Sequence, residues 1–286
     1  MPLAAHDLHR SQLFDLSGRT AVLTGASGFL GRTFARTLLA NGARVVALGR
    51  SERLDAEAAG WIDEFGADRV AVERIDMYDA AALDALCDEI AAREASIDIL
   101  VNNAHELGAA TGFNVPGGAL GASTFEQWQR NLHGGVYWAV QTTQRLGARM
   151  QAQGRGSIVN IGTMYASVAP RPQLYEGTDL MNPPGYSAAK AALVAFTRYT
   201  ASFWGGSGVR ANSISPGPFS NTEDVGTGQN AVAEDSPFVA KLKGNTVLGR
   251  IGRPLELCGA LVFLASDASS YVTGQDLRID GGWTAV

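Results

Sequence analysis

The chain has 286 residues, of which 46% are hydrophobic and 18% charged, with a formal net charge of -5. That composition describes a soluble globular protein. Its acidic balance speaks against a nucleic-acid partner, which would favour a basic patch, and no apolar run approaches the roughly 18 residues of a membrane span. Residues 1–18, an N-terminal extension in this reading, contain no apolar h-region, so a secretory signal is not expected. Cys87 and Cys258 lie inside helical patterns and suit neither a disulfide framework nor a metal cluster. They read as small core residues in a protein of the reducing cytoplasm.

From Thr20 onward short apolar runs alternate with helical stretches. Strands are expected at Thr20–Thr24, Arg44–Leu48, Arg69–Ile75, Asp98–Asn102, Ser157–Ile161, Val209–Ile214 and Gln275–Ile279. Several are apolar without alternation, the mark of parallel strands covered on both faces. The clearest helical pattern is Thr124–Gln153, read as one helix. Its Phe125, Trp128, Leu132, Val136, Ala139, Thr143, Leu146 and Met150 form one buried seam, with Gly134, Tyr137, Trp138 and Thr142 outside or beside it. This alternation argues an α/β fold, a doubly wound sheet of seven parallel strands flanked by helices. No repeat, charge block or linker divides residues 1–286, so a single domain is expected.

After the first strand, Thr24-Gly25-Ala26-Ser27-Gly28-Phe29-Leu30-Gly31 leads into the helical run Arg32–Ala40. Strand, glycine-rich turn and helix form the context of a dinucleotide site in a Rossmann fold. Gly25 permits the tight turn, Gly28 the approach of a pyrophosphate and Gly31 close helix–strand packing, while Ser27 and Leu30 belong to the same cradle. The helix N-terminus adds free N–H groups and a positive dipole end. A site preferring NAD carries an acidic residue at the end of the second strand; here that stretch reads Leu48-Gly49-Arg50-Ser51. Arg50 matches a 2′-phosphate, and Ser27 and Ser51 offer hydroxyls. NADP(H) is therefore the expected cofactor, with NAD(H) possible if Glu52 or Asp55 reaches the ribose.

Tyr186 and Lys190 stand four apart at the start of a helical segment, on one helix face. A free phenol with a pKa of about 10 is a poor acid–base catalyst at neutral pH, and a nearby ammonium favours its ionised form. Alone, the pair also fits an ordinary amphipathic helix.

With the pieces around it, the chain resembles the short-chain dehydrogenase/reductase family from about Leu16 to its end. In family order these pieces are the glycine loop, Asp76, Asn102-Asn103-Ala104, Asn131-Leu132, Thr163, Tyr186 with Lys190, Pro216-Gly217, Val272-Thr273-Gly274 and Asp280-Gly281-Gly282. The tail Leu264-Ala265-Ser266-Asp267 with Gly281-Gly282 looks like the short, single-domain branch. The resemblance implies that Tyr186 is the general acid in reduction and the base in oxidation. It implies that Lys190 lowers the Tyr186 pKa and binds the nicotinamide ribose, and that Asn131 holds a relay water. Thr163 takes the place of the usual serine and hydrogen-bonds the substrate oxygen. Asp76 and Met77 border the adenine, while Asn103, Ala104, Pro216, Gly217 and Phe219 line the cofactor cleft. No metal is implied.

Four features depart from the family pattern. Thr163 adds a stiffening methyl. Gly28 stands one place early, as in the extended branch that handles nucleotide sugars. His105 replaces a common glycine and could point toward the nicotinamide. The link Met164–Gly185 is long and similar to an insertion in reductases of surface-sugar biosynthesis, with Tyr-Glu-Gly-Thr at Tyr175–Thr178. The rest of the chain resembles ketogluconate reductases. Tyr165, Arg171, Tyr175, Glu176 and Asp179 would suit a polyhydroxylated substrate, and Pro218–Leu248, with glycines at 226, 228 and 244, is expected to be a mobile lid.

The expected function is NADP(H)-dependent interconversion of a secondary alcohol and a ketone on a sugar acid, a polyol or another polyhydroxylated small molecule. Two other readings stay open: a nucleotide-sugar epimerase or dehydratase, from the glycine spacing, and a catalytically silent dinucleotide sensor. The expected partner is a small carbonyl or alcohol, with no nucleic acid and no membrane. Sparse charge on the outer faces of Thr124–Gln153 and Ala188–Trp204 implies a homo-oligomer, dimer or tetramer, with Trp283–Val286 at a second interface in a tetramer.

Overall fold

The computed structural model describes residues 9–226 and 230–286. The first eight residues of the expected N-terminal extension lie outside them, as do residues 227–229 of the expected lid, Gly228 among these. After a helical turn α1 (Arg10–Leu13), strands and helices alternate: β1 (Thr20–Thr24), α2 (Phe29–Ala40), β2 (Arg44–Gly49), α3 (Arg53–Phe65), β3 (Val70–Arg74), α4 (Ala80–Arg93) and β4 (Ile99–Asn102). Then follow α5 (Phe125–Leu132), α6 (Trp138–Gln153), β5 (Gly156–Ile161), α7 (Pro184–Trp204), β6 (Val209–Pro216), α8 (Pro237–Gly244), α9 (Leu255–Ala265) and β7 (Asp276–Ile279). All seven expected strands form, with ends within two residues of those expected.

The strands pair in parallel in the order β3-β2-β1-β4-β5-β6-β7. This is a Rossmann-type sheet, and its order reverses between β1 and β4. A crevice must open there beyond the strand C-termini, because the loops that follow β1 and β4 leave toward opposite faces. Alternation along each strand divides the core in two. Ala21, Leu23, Val45, Ala47 and Val159 face α2, α3 and α9, where Phe34, Trp61 and Leu261 meet them. Val22, Val46, Leu100 and Ile158 face α4 and α6, against Leu83, Ile90 and Leu146. Each large side chain buried in these layers contributes about 1.5–3 kcal/mol. Cys87 and Cys258 are both free and buried within the layers.

The single helix expected over Thr124–Gln153 is interrupted. A capping box starts α5: the Thr124 hydroxyl accepts from the Gln127 amide at 3.2 Å, and the Gln127 carboxamide accepts from the Thr124 amide at 3.0 Å. After Leu132 one π-turn, His133–Tyr137, joins it to α6. The extra residue rotates the buried face by roughly 100°, which corrects the expected seam. Phe125 and Leu132 are 77% and 42% exposed, whereas Gly134, Trp138 and Thr142, expected outside or beside it, are buried. The same rotation turns Asn131 inward.

Between the apolar layers and the crevice runs a row of buried amides and hydroxyls. Asn102 on β4 pairs in register with Asn160 on β5, and its Nδ2 donates to Asn160 Oδ1 at 2.8 Å. Thr142 of α6 donates to Asn102 Oδ1 at 2.7 Å, and Asn160 Nδ2 donates to Thr197 of α7 at 2.8 Å. All four residues are at most 4% exposed, so each bond lies in a low dielectric where an unmet partner is costly. Among the described residues, no helix is long and apolar enough to cross a membrane, and no His, Cys, Asp and Glu cluster could hold a metal ion.

Asn160→Ala strands donors and acceptors at the middle of this row and is expected to cost about 2–3 kcal/mol. Thr200→Ala, equally buried but bonded only within its own helix, is expected to cost less than about 1 kcal/mol. Urea midpoints at unchanged slope check the difference.

Candidate active site

The loop after β1 is built from backbone. Gly25 has φ +66°, and a Cβ added there would come within 2.9 Å of Ala104 Cα. A Cβ on Gly31 would lie 2.1 Å from the Gly25 carbonyl oxygen, so no side chain fits. Gly28 caps α2 without a side-chain hydrogen bond, and no acidic residue stands in the first turn. The first N–H groups of a twelve-residue helix are thus left for a ligand, with the dipole end uncovered. Such a cradle, without side chains in the way, fits a pyrophosphate. A Cβ at Gly28 would meet only the Gly25 oxygen, at 3.2 Å. Leu30 packs on the core below. Thr24 Oγ1 accepts from the Asn103 and Ala104 amides, each at 3.0 Å, and Asn103 Nδ2 donates to the Thr24 and Gly25 carbonyls, each at 3.1 Å. These bonds staple the β4 loop to the glycine loop.

At the end of β2 Arg50 is exposed and, among the described residues, makes no ion pair. Ser27 and Ser51 bring their hydroxyls within 3.5 Å of each other beside it. Asp76 caps its own turn by accepting from the Tyr78 amide at 3.1 Å, and Met77 is buried. Three residues here escaped sequence reasoning. Tyr78 donates to Glu106 at 2.5 Å, Arg130 grips Glu106 through two nitrogens at 2.8 and 2.9 Å, and the Arg130 guanidinium lies 4.5 Å from the Tyr78 ring centroid. Nothing in the local sequence signals partners so far apart along the chain. The expected lid is also pinned: Arg32 of α2 bonds Glu223 and Asp224 at 2.8 and 3.0 Å, and Arg53 of α3 bonds Asp224 at 3.3 Å. Phe219, expected along the cofactor cleft, packs its ring against Gly252 and the core. Gly217 lies so close to Asp280 that a Cβ would come within 2.5 Å of its Cα, and Pro216 ends β6 buried.

Thr163 follows β5, and Tyr186 and Lys190 occupy the opening turns of α7, which starts on Pro184. The Thr163 hydroxyl donates to the Tyr186 phenol. Burial raises the Tyr186 pKa to about 12, with that hydrogen bond working against the rise. Lys190 is 4% exposed and donates to the Ile161 carbonyl at 2.7 Å. Burial pulls the lysine down to about 7. In the protein alone burial is the largest influence on the phenol, while the Lys190 side chain is aimed at a backbone carbonyl. Asn131, 1% exposed, donates to the Thr111 and Gln127 carbonyls at 2.7 and 2.8 Å, and its Oδ1 has no protein partner.

The long link after Thr163 folds back over Tyr186. Tyr165 and Tyr175 are 9% and 7% exposed, and the Tyr175 hydroxyl donates to Tyr165. Both phenols bear electrostatically on one another, and each on Tyr186. Burial raises both pKa values. Arg171, Glu176 and Asp179 are exposed instead. Lys241 of α8 donates to the Gln173 and Glu176 carbonyls at 3.0 and 2.6 Å, and Arg171 to Asn245 at 2.9 Å, so link and α8 form one cover. Trp283, assigned above to a second interface, is 4% exposed within its own protomer and edge-on to Tyr165 at 6.5 Å. His105 turns its ring against Tyr186 and Gly135.

A phosphate cradle, a tyrosine and a buried lysine on one sheet edge define a nicotinamide-dependent oxidoreductase. A family model described as enoyl-(acyl carrier protein) reductase matches residues 25–284. The chain is 35% identical over 274 residues to D-threitol dehydrogenase of Mycolicibacterium smegmatis, covering 95% of each. It is 36% identical over 276 residues to gluconate 5-dehydrogenase of Gluconobacter oxydans, covering 95% of this chain and 97% of that one. Among solved structures, a gluconate 5-dehydrogenase from Burkholderia cenocepacia, in complex with NADP and tartrate, superposes with a TM-score of 0.81 at 32% identity, covering 97% of this chain and all of that one. The chain belongs to the short-chain dehydrogenase/reductase family and is an NAD(P)-dependent dehydrogenase.

Proposed function

We propose that this enzyme interconverts a secondary alcohol and a ketone on a polyol or sugar acid, with NADP(H) as its preferred cofactor. The observation that carries the reading is the meeting of the Thr163 and Tyr186 hydroxyls beneath a wall formed by Tyr165 and Tyr175. A substrate with several hydroxyls finds a partner for more than its reacting oxygen there. Relatives named for D-threitol, galactitol and gluconate support the same class.

When bound, the nicotinamide supplies or takes up the hydride. The first turn of α2 would hold its pyrophosphate, Arg50 with Ser27 and Ser51 the 2′-phosphate, and Lys190 the ribose. Thr163 orients the substrate oxygen by hydrogen bonding. In reduction Tyr186 gives its phenolic proton to the carbonyl oxygen; in oxidation the phenolate removes the proton of the alcohol. A pKa raised to about 12 keeps Tyr186 protonated at neutral pH, the state that reduction needs.

The same reading includes assembly as a dimer or tetramer. Phe125, Leu132 and Tyr137 on one side and the stacked pair Tyr199 and Phe203 on α7 are exposed, the last two 58% and 67%. Light scattering at micromolar concentration is expected to give a multiple of the 30.1 kDa chain mass; a monomer would refute the assembly.

Arg50→Ala is expected to weaken NADPH binding about tenfold and leave NADH nearly unchanged. Calorimetry showing tighter NADH binding by the native protein would overturn the cofactor preference. Tyr186→Phe keeps the ring and removes the proton, so turnover of galactitol, D-threitol and gluconate should fall by at least about 100-fold while NADPH still binds. Substantial residual turnover, followed by NADPH absorbance, would place the proton donor elsewhere.

A further inference from the structure

His105 stands beside Tyr186 and Lys190 without a part in the chemistry just described. Its ring lies edge-on to Tyr186, with centroids 5.0 Å apart at 85°. Behind it the π-turn presents Gly135, where an added Cβ would come within 2.8 Å of His105 Cε1 and 2.6 Å of the Ala189 Cβ. The room for this ring thus depends on a glycine at 135. Both ring nitrogens are sealed from solvent, and neither has a protein hydrogen-bond partner; Asn131 Oδ1, one turn before Gly135, is in the same condition. Buried polar groups are nearly always paired, with water or function accounting for the exceptions. The residue as a whole is partly exposed, while its ring nitrogens are enclosed beside Tyr186.

We propose that His105 is a positioning residue that passes protons to the Tyr186–Lys190 pair. The proposal rests on the reading of Tyr186 as acid and base. When Tyr186 has given its proton to a carbonyl oxygen, the phenolate must regain one. The neutral ring takes a proton on its bare nitrogen from a water enclosed against it and releases the N–H proton of the other nitrogen through water toward Lys190 and Tyr186. One proton enters and one leaves, and the ring ends as the other tautomer. Oxidation of an alcohol runs the same path backward. Burial first, and the Lys190 charge second, hold the His105 pKa well below its ordinary value, so the ring is neutral as the path requires. Lys190 and Tyr186 of α7 are the titratable groups that face it. The π-turn offers only Gly135 on this side, and Glu106, next along the chain, directs its carboxylate to Arg130 and Tyr78.

His105→Phe keeps an aromatic ring and removes both nitrogens. With NADP+ and galactitol, D-threitol or gluconate, kcat is expected to fall about tenfold or more and its solvent deuterium isotope effect to rise. The NADPH dissociation constant, read by fluorescence, should stay within about twofold. Native kcat and isotope effect in this variant would overturn the proposal. Should His105→Phe not fold, His105→Gly decides. Imidazole should raise its turnover, whereas 1-methylimidazole, which cannot carry a proton through both nitrogens, should not. An equal effect of the two, or none from either, counts against the relay. Imidazole ¹⁵N shifts of the native protein without cofactor give a reading independent of substrate: a neutral ring at about pH 7 is expected, and a charged one refutes the path. An active Tyr186→Phe variant would instead remove the reading beneath the proposal. An inactive one, beside a native-like His105→Phe, would sink the relay alone.

Discussion

The row of hydrogen bonds from Thr142 through Asn102 and Asn160 to Thr197 is the constraint on which the site depends. It lies where an apolar core would otherwise continue, and it locks the ends of β4 and β5 to α6 and α7. The residues that follow those strands line the proposed site. Asn103 and Ala104 continue from Asn102 and staple the glycine loop; Ile161 continues from Asn160 and receives the Lys190 ammonium. Two apolar side chains in register would hold the strands as well but leave their rotation against the helices less defined. Buried amides with all their partners in place specify one arrangement.

Burial governs the titration of the catalytic pair. In the protein alone it raises the phenol of Tyr186 and lowers the ammonium of Lys190, and in each case the charged form is the one disfavoured. Arg50, by contrast, is exposed at the end of β2.

The cover over the crevice is held from two sides by different means. Near the glycine loop, Glu223 and Asp224 are tied to Arg32 and Arg53 by exposed or half-buried ion pairs, each worth little singly. Beside Tyr186, Tyr175, Phe238, Tyr165 and Trp283 form an apolar cluster joined by the bond between the two phenols.

Taken by itself, the sequence determined the seven strands, their parallel direction and the glycine-rich loop. These depend on short-range patterns: apolar runs that match a sheet covered on both faces, and glycines where a Cβ meets backbone at Gly25 and Gly31. The spacing of Tyr186 and Lys190 was legible for the same reason, since four residues span one helical turn. Only the tertiary structure decided the rest. One added residue in the π-turn rotated the face of α5 and sent Asn131 inward while leaving Phe125 and Leu132 outside, and no periodicity over the whole stretch shows such an insertion. The Tyr78, Glu106 and Arg130 network joins three separate segments, so no local spacing marks it. Trp283 and Tyr175 read as surface or loop residues until α8 and the long link pack on them. Burial of a loop side chain is settled by what the fold lays across it, and that information is not local in the chain.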